Sequence, residues 1–453
     1  MPTAGGEQEN LTDQIMAGLE RRFLQYGHRP SPAHWKGLRA IAETIEAQAS
    51  GIAAPNFLLS ALPTGMGKTT AVVESVKALV SRLDYADVGV VIFVNQLDQI
   101  RRLIDEMELA KELYSVRTGR ENVELNELGR SDHANAQVLF TTQQKLPHLL
   151  RYQKNFPDIP LFKFKGAPRR VRIWDEAILP AEPLTFTVKQ FEEAAALLLK
   201  LGQNSASALL EDWVARKIPL FPSGTVIEMP LLTLELGWGN LNGVEKDADL
   251  SNLVWMSGQD VRLHKDDFFG VTTISYRESL PREFAPLLVL DASGSLRLTY
   301  DLWEKGRGNL VELFSPGKTY NNLIIHYWDH AAGKSAHQDA DKVQVLADGI
   351  ANAVGSFSDN EDVLIIIRKQ EDISYPNLEQ RIKIKTGQRT GLHFLTWGKH
   401  TATNEYADVK QVIVVGALQY PYAVNEAMAR GAAGISALQS VQKSMSKNYG
   451  WVK

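Results

Sequence analysis

The stretch Phe57-Leu58-Leu59-Ser60-Ala61-Leu62-Pro63-Thr64-Gly65-Met66-Gly67-Lys68-Thr69-Thr70 runs from an apolar strand through a glycine loop into a helix. Phe57–Ala61 has the length and composition of a buried strand. Beyond Thr70, Val72, Val73, Val76, Leu79, Val80 and Leu83 fall at helical spacing. Gly65 and Gly67 let backbone N–H groups close around phosphate oxygens with no Cβ in the way. The helix N-terminus adds donors and partial positive charge. In such a loop Lys68 reaches the β- and γ-phosphates and the Thr69 hydroxyl ligates Mg²⁺. The expected nucleotide contacts are Pro63, Thr64, Gly65, Met66, Gly67, Lys68, Thr69 and Thr70, with ATP and Mg²⁺ as the bound species. Leu62 stands where the strict pattern has glycine or alanine.

Working outward, the strand–helix rhythm repeats. Val88–Val94, Val138–Thr142, Val171–Trp174 and Leu287–Asp291 are further apolar runs of strand length. This predicts an α/β fold with a doubly wound parallel sheet. The run Val171-Arg172-Ile173-Trp174 ends in the adjacent acids Asp175 and Glu176. Ligands of such folds bind where strands end at the carboxyl edge. There Asp175 is expected to hold Mg²⁺ opposite Thr69, and Glu176 to orient and deprotonate the attacking water.

Together, Pro63-Thr64-Gly65-x-Gly67-Lys68-Thr69 and Asp175-Glu176-Ala177-Ile178 resemble motifs I and II of DEAD/DEAH-type superfamily 2 helicases. Weaker likenesses follow in family order over roughly residues 50–435. Phe93-Val94-Asn95-Gln96-Leu97 is similar to motif Ia, and Leu139-Phe140-Thr141-Thr142-Gln143 to the Thr-containing motif before motif II. Leu290-Asp291-Ala292-Ser293-Gly294 resembles motif III, and Val363-Leu364-Ile365-Ile366-Ile367-Arg368 motif IV. Trp397-Gly398 with Thr403-Asn404-Glu405-Tyr406 resembles motif V of helicases from phages and mobile elements. Glu426-Ala427-Met428-Ala429-Arg430-Gly431 sits where motif VI belongs. The resemblance implies two RecA-like domains that clamp ATP–Mg²⁺ between them. It implies catalytic roles for Lys68, Glu176 and Arg430, the last as an arginine finger. It implies nucleic-acid contacts at Asn95, Gln96, Thr141, Thr142, Arg368, Thr403 and Asn404, and coupling of hydrolysis to movement through Asp291 and Ser293. The partner implied is nucleic acid, DNA rather than RNA, with an accessory subunit supplying further domains. Leu-Asp-Ala-Ser and the long insertion before it are similar to the iron–sulfur DNA helicase branch.

The 453 residues suit two or three domains. Residues 1–30 are expected to be peripheral. Residues 31–318 form the first domain, with a largely helical insertion at about 180–280 that is helical over 188–217 and irregular over 218–280. Residues 319–453 form the second, with strands at Leu323–Trp328, Val363–Ile367, His393–Trp397 and Val412–Val415 and a long helix around Asp339–Phe357. With no cysteine, disulfides, thiol catalysis and cysteine-ligated iron–sulfur clusters are excluded. Neither an apolar run of about 18 residues nor a secretory leader is visible, so a cytoplasmic protein is expected. The net charge of -4 argues against bulk electrostatic binding of nucleic acid. A cluster of Lys163, Lys165, Arg169, Arg170 and Arg172 interleaved with Phe162 and Phe164 suits either a sugar-phosphate contact or a solvated loop. Trp213, Trp238 and Trp255 suit base stacking or, more commonly, burial. Two other functions remain open: an ATP-switched clamp that closes on nucleic acid or a partner without unwinding, and a phage-type DNA-packaging ATPase.

Overall fold

The computed structural model describes residues 10–150, 155–232, 247–267, 270–370, 376–387, 389–399, 405–417 and 420–439. The chain divides into two compact units, residues 1–318 with 421–453, and residues 319–420.

In chain order the strands are β1 (Phe57–Ser60), β2 (Val90–Val94), β3 (Tyr114–Arg117), β4 (Val138–Thr142), β5 (Lys163–Phe164), β6 (Ala167–Pro168), β7 (Val171–Asp175), β8 (Ala181–Thr187), β9 (Val226–Glu228), β10 (Asp260–Asp266), β11 (Gly270–Glu278), β12 (Leu287–Leu290), β13 (Leu310–Glu312), β14 (Val363–Ile367), β15 (Leu392–Thr396) and β16 (Gln411–Val414). The first unit is built on a seven-stranded sheet in the order β13-β1-β12-β7-β2-β4-β3, and its paired strands run parallel. Both of its faces are covered, which is why its strands read as unbroken apolar runs. In β2, for example, Val90, Ile92 and Val94 join one core cluster while Val91 and Phe93 join the other. The order makes β1, β12 and β7 neighbours, so the loop after β1 and the acids ending β7 and following β12 gather at one sheet edge. Five strand expectations in this unit hold. β3 and β13 were missed because Tyr-Ser-Val-Arg and Leu-Val-Glu are too short and too polar to stand out.

The N-terminal segment expected to be peripheral is not. The helix Leu11–Gln25 packs on the phosphate-loop helix Lys68–Val80, and Leu11, Ile15 and Leu19 are fully buried in the main core. Its amphipathic stripe finds apolar cover there.

The insertion is helical at Val188–Lys200 and Asn204–Asp212, as read. Within 218–280, however, β9, β10 and β11 join β8 in a four-stranded antiparallel sheet ordered β8-β11-β10-β9. In β10 the buried Val261 and Leu263 alternate with the partly exposed Arg262 and His264. That alternation was masked by Arg and His on the other face. Trp213 is buried and donates to the Glu228 carbonyl at 3.0 Å, while Trp255 packs against the same core. Trp238 lies outside the described residues.

A second correction concerns the end of the chain. Helix Tyr422–Ala433, expected in the second domain, packs on β8, β11 and the helix Leu298–Arg307 within the first unit. Gly431 permits this: a Cβ there would stand 2.9 Å from Ala181 Cβ. The Arg307 guanidinium clamps the helix by donating Nε to the Ala432 carbonyl at 2.9 Å, and pairs with Glu278 at 2.9 Å.

The second unit carries a three-stranded parallel sheet ordered β15-β14-β16, with helix Ala340–Gly355 and helix Leu378–Lys385 packed together. Leu323–Trp328 is not a strand. Ile324 and Ile325 are 77% and 80% exposed, so β propensity without a pairing neighbour made no strand there. Among the described residues, no helix is long and apolar enough to cross a membrane.

Candidate active site

The loop after β1 adopts the backbone its glycines allow. Gly65 has φ +78° and Gly67 φ +80°, and Gly67 caps helix Lys68–Val80. Gly67 is also pressed from behind: a Cβ there would lie 2.6 Å from the Phe23 ring. From helix Pro32–Ala49, His34 Nε2 donates to the Met66 carbonyl at 2.7 Å. The N-terminal helices thus brace the glycine loop, a role the sequence reading gave to none of their residues.

Lys68 folds back onto its own loop, donating Nζ to the carbonyls of Leu62 at 2.5 Å and Pro63 at 3.3 Å. Burial pushes the Lys68 ammonium down from its usual range, against the pull of Asp175, Glu176 and Asp291. Burial also raises Asp175, to about 7, helped by the neighbouring Glu176 and Asp291 and opposed by Lys68. Glu176 is raised by burial and then by Asp291, while Lys68 and Arg297 hold it down. The four groups therefore share one electrostatic neighbourhood at the carboxyl edge of the sheet. Gln99 Nε2 donates to Asp175 Oδ2 at 3.4 Å, and Gln143 Nε2 donates to the Asp175 carbonyl. Glu176 itself has φ +85°, a left-handed backbone costing roughly 1–3 kcal/mol for a non-glycine residue. Such strain persists only where surroundings hold it, and the Glu176 N–H donates to the Leu290 carbonyl at 2.9 Å.

A carboxylate pushed up by burial and like charge, beside a glycine cradle and a lysine, suits a dication between acid and phosphate. Thr69, the expected second ligand, is exposed at the start of helix Lys68–Val80.

The raised Asp175 carries a consequence for the nucleotide-free protein. Unfolded, Asp175 titrates near 3.8; folded, at about 7. Across that window the folded protein keeps a proton that the unfolded chain releases. The stabilisation is complete below the lower value and is lost as pH rises to the upper one. Asp175→Asn is therefore expected to be more stable than the parent at pH 8, by on the order of 4 kcal/mol, and nearly equal at pH 4. Thermal melts without metal or nucleotide check this; parallel curves for the two proteins contradict it.

Other sequence expectations fare unevenly. Asp291 is 2% exposed and accepts from Ser293 N at 2.8 Å and Ser293 Oγ at 2.6 Å. Arg297, not singled out by the sequence, pairs with Asp291 at 3.1 Å; its only signal was its place just after motif III. Asn95 is exposed, whereas Gln96 forms a capping box with Gln99 at the start of helix Leu97–Met107. Thr141, expected on the nucleic-acid path, is fully buried and donates to the Arg117 carbonyl at 2.6 Å; Thr142 beside it is partly exposed. Arg368 directly follows β14 in the second unit and is partly exposed. Thr403 and Asn404 lie outside the described residues. Arg430 is 2% exposed and fully engaged within the first unit: Nε donates to Glu426 at 2.9 Å, and Nη1 to the Ser436 and Gln439 carbonyls, each at 3.0 Å. The charges that act on Asp175 and Glu176 are Lys68, Asp291 and Arg297, and Arg430 is not among them.

The basic cluster divides: Lys165 and Arg170 are exposed and Lys163 is partly exposed, whereas two arginines are buried. Arg169 and Arg172 point inward; Arg172 Nη1 donates to the Glu283 and Phe284 carbonyls at 2.8 Å each and to Ala285 at 3.1 Å.

Residues 28–177, about a third of the chain, match the family described as "Type III restriction enzyme, res subunit". No curated protein matches. Among solved structures, Xpd4 of S. tokodaii is 15% identical, covering 88% of each chain with a TM-score of 0.43. One titled XPD_APO is 12% identical, covering 88% of this chain and 87% of that one, with a TM-score of 0.44. A DEAD box protein from the hyperthermophile Methanococcus jannaschii is 11% identical, covering 95% of this chain and 90% of that one, with a TM-score of 0.27.

Proposed function

We propose that this chain, similar to superfamily 2 helicases in its first unit, is a nucleic-acid-dependent ATPase that moves along or separates strands. What supports this reading is the meeting, at the end of β1 and β7, of a left-handed glycine cradle, a desolvated lysine and a half-buried acidic pair. In it the loop 63–70 wraps the β- and γ-phosphates, and Lys68 swings from the carbonyls of Leu62 and Pro63 to the γ-phosphoryl oxygens. Asp175 and Thr69 would hold Mg²⁺, which when bound offsets charge on the phosphate oxygens. Glu176, presented by its strained backbone, orients the attacking water and takes its proton. Asp291 and Ser293 link this edge to the helix that follows.

A second reading, an ATP-switched clamp that closes without unwinding, is favoured by one observation. Arg430, which the helicase reading wants at the phosphate, is occupied by Glu426 and two carbonyls. One set of assays separates the two. Phosphate release is measured with single-stranded DNA, duplex DNA and single-stranded RNA, alongside displacement of a labelled strand. The helicase reading expects at least tenfold stimulation by one of these polymers, DNA before RNA, together with strand displacement. Stimulated hydrolysis without displacement or translocation leaves the clamp. Hydrolysis that no nucleic acid stimulates overturns the helicase reading and a clamp on nucleic acid, leaving only a clamp on another partner.

A further inference from the structure

Glu176 stands in a left-handed conformation on a turn with a single strand behind it, so something must hold that turn. Three anchors do. The Glu176 N–H donates to Leu290 of β12. Trp174 Nε1 donates to the Ala177 carbonyl at 3.2 Å. The third is a side chain from a distant helix: the Ile178 N–H donates to the Tyr300 hydroxyl at 3.1 Å. That hydroxyl in turn donates to Asp291 Oδ2 at 3.0 Å.

We propose that Tyr300 is a positioning residue for hydrolysis, its hydroxyl tying the turn that presents Glu176 to the buried carboxylate of Asp291. The inference rests on the ATPase reading above and names a group that reading does not contain. Tyr300 sits in helix Leu298–Arg307 and is 3% exposed. Its hydroxyl bonds both Ile178, two residues after Glu176, and Asp291, the acid following β12. Burial, and then the charge of Asp291, push it above the ordinary phenol range, so it stays protonated and keeps donating. Asp291 is held at its other oxygen, Oδ1, by Ser293, while Arg297 shares Oδ2 with Tyr300 at 3.1 Å. A shift of the helix carrying Tyr300 is thereby transmitted to the backbone that aims Glu176. Removing the hydroxyl leaves the buried Ile178 N–H short of a partner, leaves Asp291 Oδ2 to Arg297, and lets the strained turn relax. The phosphate cradle has its own supports in Phe23 and His34, so nucleotide binding has no reason to change.

The test is Tyr300→Phe, which keeps the ring and its packing. Trp303→Phe is the control: Trp303 is fully buried on the same helix, and its Nε1 bonds Asn309 at 2.7 Å, away from the acids. Turnover, KM for ATP, affinity for a fluorescent ADP analogue and thermal stability are measured for both. The expected result for Tyr300→Phe is a kcat at least tenfold lower with KM and ADP affinity within twofold of the parent. Trp303→Phe is expected to lose stability while holding kcat within twofold. The proposal is overturned by a Tyr300→Phe kcat within twofold of the parent, by joint loss of binding and turnover, or by kcat falling equally in both variants. A parent protein that releases no phosphate from ATP rejects the ATPase reading itself, which a failure confined to Tyr300 does not.

Discussion

Lys68→Ala is expected to lower nucleic-acid-stimulated phosphate release by at least about 10²–10³-fold, the scale on which one preorganised charge at developing phosphoryl charge acts. In the structure Lys68 is a cation taken largely out of water among three acids, with its ammonium parked on the carbonyls of Leu62 and Pro63. Both facts reduce what its move to the γ-phosphoryl costs. It is already desolvated, and the bonds it gives up are two neutral carbonyl contacts exchanged for charge-assisted ones. Alanine removes that charge and leaves Asp175, Glu176 and Asp291 facing an anionic substrate with no counter-cation from the loop. The fold should survive, because Lys68 begins its helix and holds no core position. Steady-state phosphate release with saturating nucleic acid, beside a thermal melt, checks both halves. A folded Lys68→Ala protein turning over within tenfold of the parent would reject the assignment of this loop.

What was legible in the sequence has a common physical character: it is local. Gly65 and Gly67 announce a backbone that only glycine takes without strain, and the structure puts both at positive φ. Val363–Ile367 is five apolar residues because β14 is buried throughout. Asp175 and Glu176 follow an apolar run, and a parallel strand ends there. What stayed hidden depends on partners far away in the chain. Arg169 and Arg172 read as surface charge because nothing nearby shows the carbonyls that receive them. The helix Tyr422–Ala433 carries a motif-like arginine, yet its place in the first unit is set by Arg307, Arg262 and the small contact at Gly431. Arg262 Nη2, for instance, donates to the Ala437 carbonyl at 2.7 Å. Leu323–Trp328 has a strand's composition and lacks a strand's neighbour. Tyr300 touches Asp291 and Ile178, and no spacing rule links residues 9 and 122 positions apart.

The most destructive substitution falls in that hidden class. Arg169 is 0% exposed, and its partners are four neutral carbonyls. Nη1 donates to Gln137 at 2.7 Å and Val90 at 3.1 Å, and Nη2 to His133 at 2.7 Å and Ala136 at 2.8 Å. Val90 opens β2 and Gln137 precedes β4, so one guanidinium closes the amino-terminal edge of the central sheet where strand pairing has run out. Burial pushes Arg169 down to about 9, which still leaves it cationic at neutral pH. Arg169→Ala takes the guanidinium donors from four buried carbonyls, of which Gln137 and His133 keep a backbone N–H each, and opens a cavity. A loss of about 3–5 kcal/mol is expected, comparable to breaking a buried charged network, or roughly 5–10 °C in the melting of the first unit. Arg169→Lys is the sharper test. An ammonium is a point donor that cannot span a planar fork of four acceptors, so lysine is expected to recover less than half of the loss despite keeping the charge. Denaturant and thermal unfolding of the three proteins decide it. A lysine variant within 1 kcal/mol of the parent would mean that charge alone, and not the shape of the guanidinium, holds that edge of the sheet together.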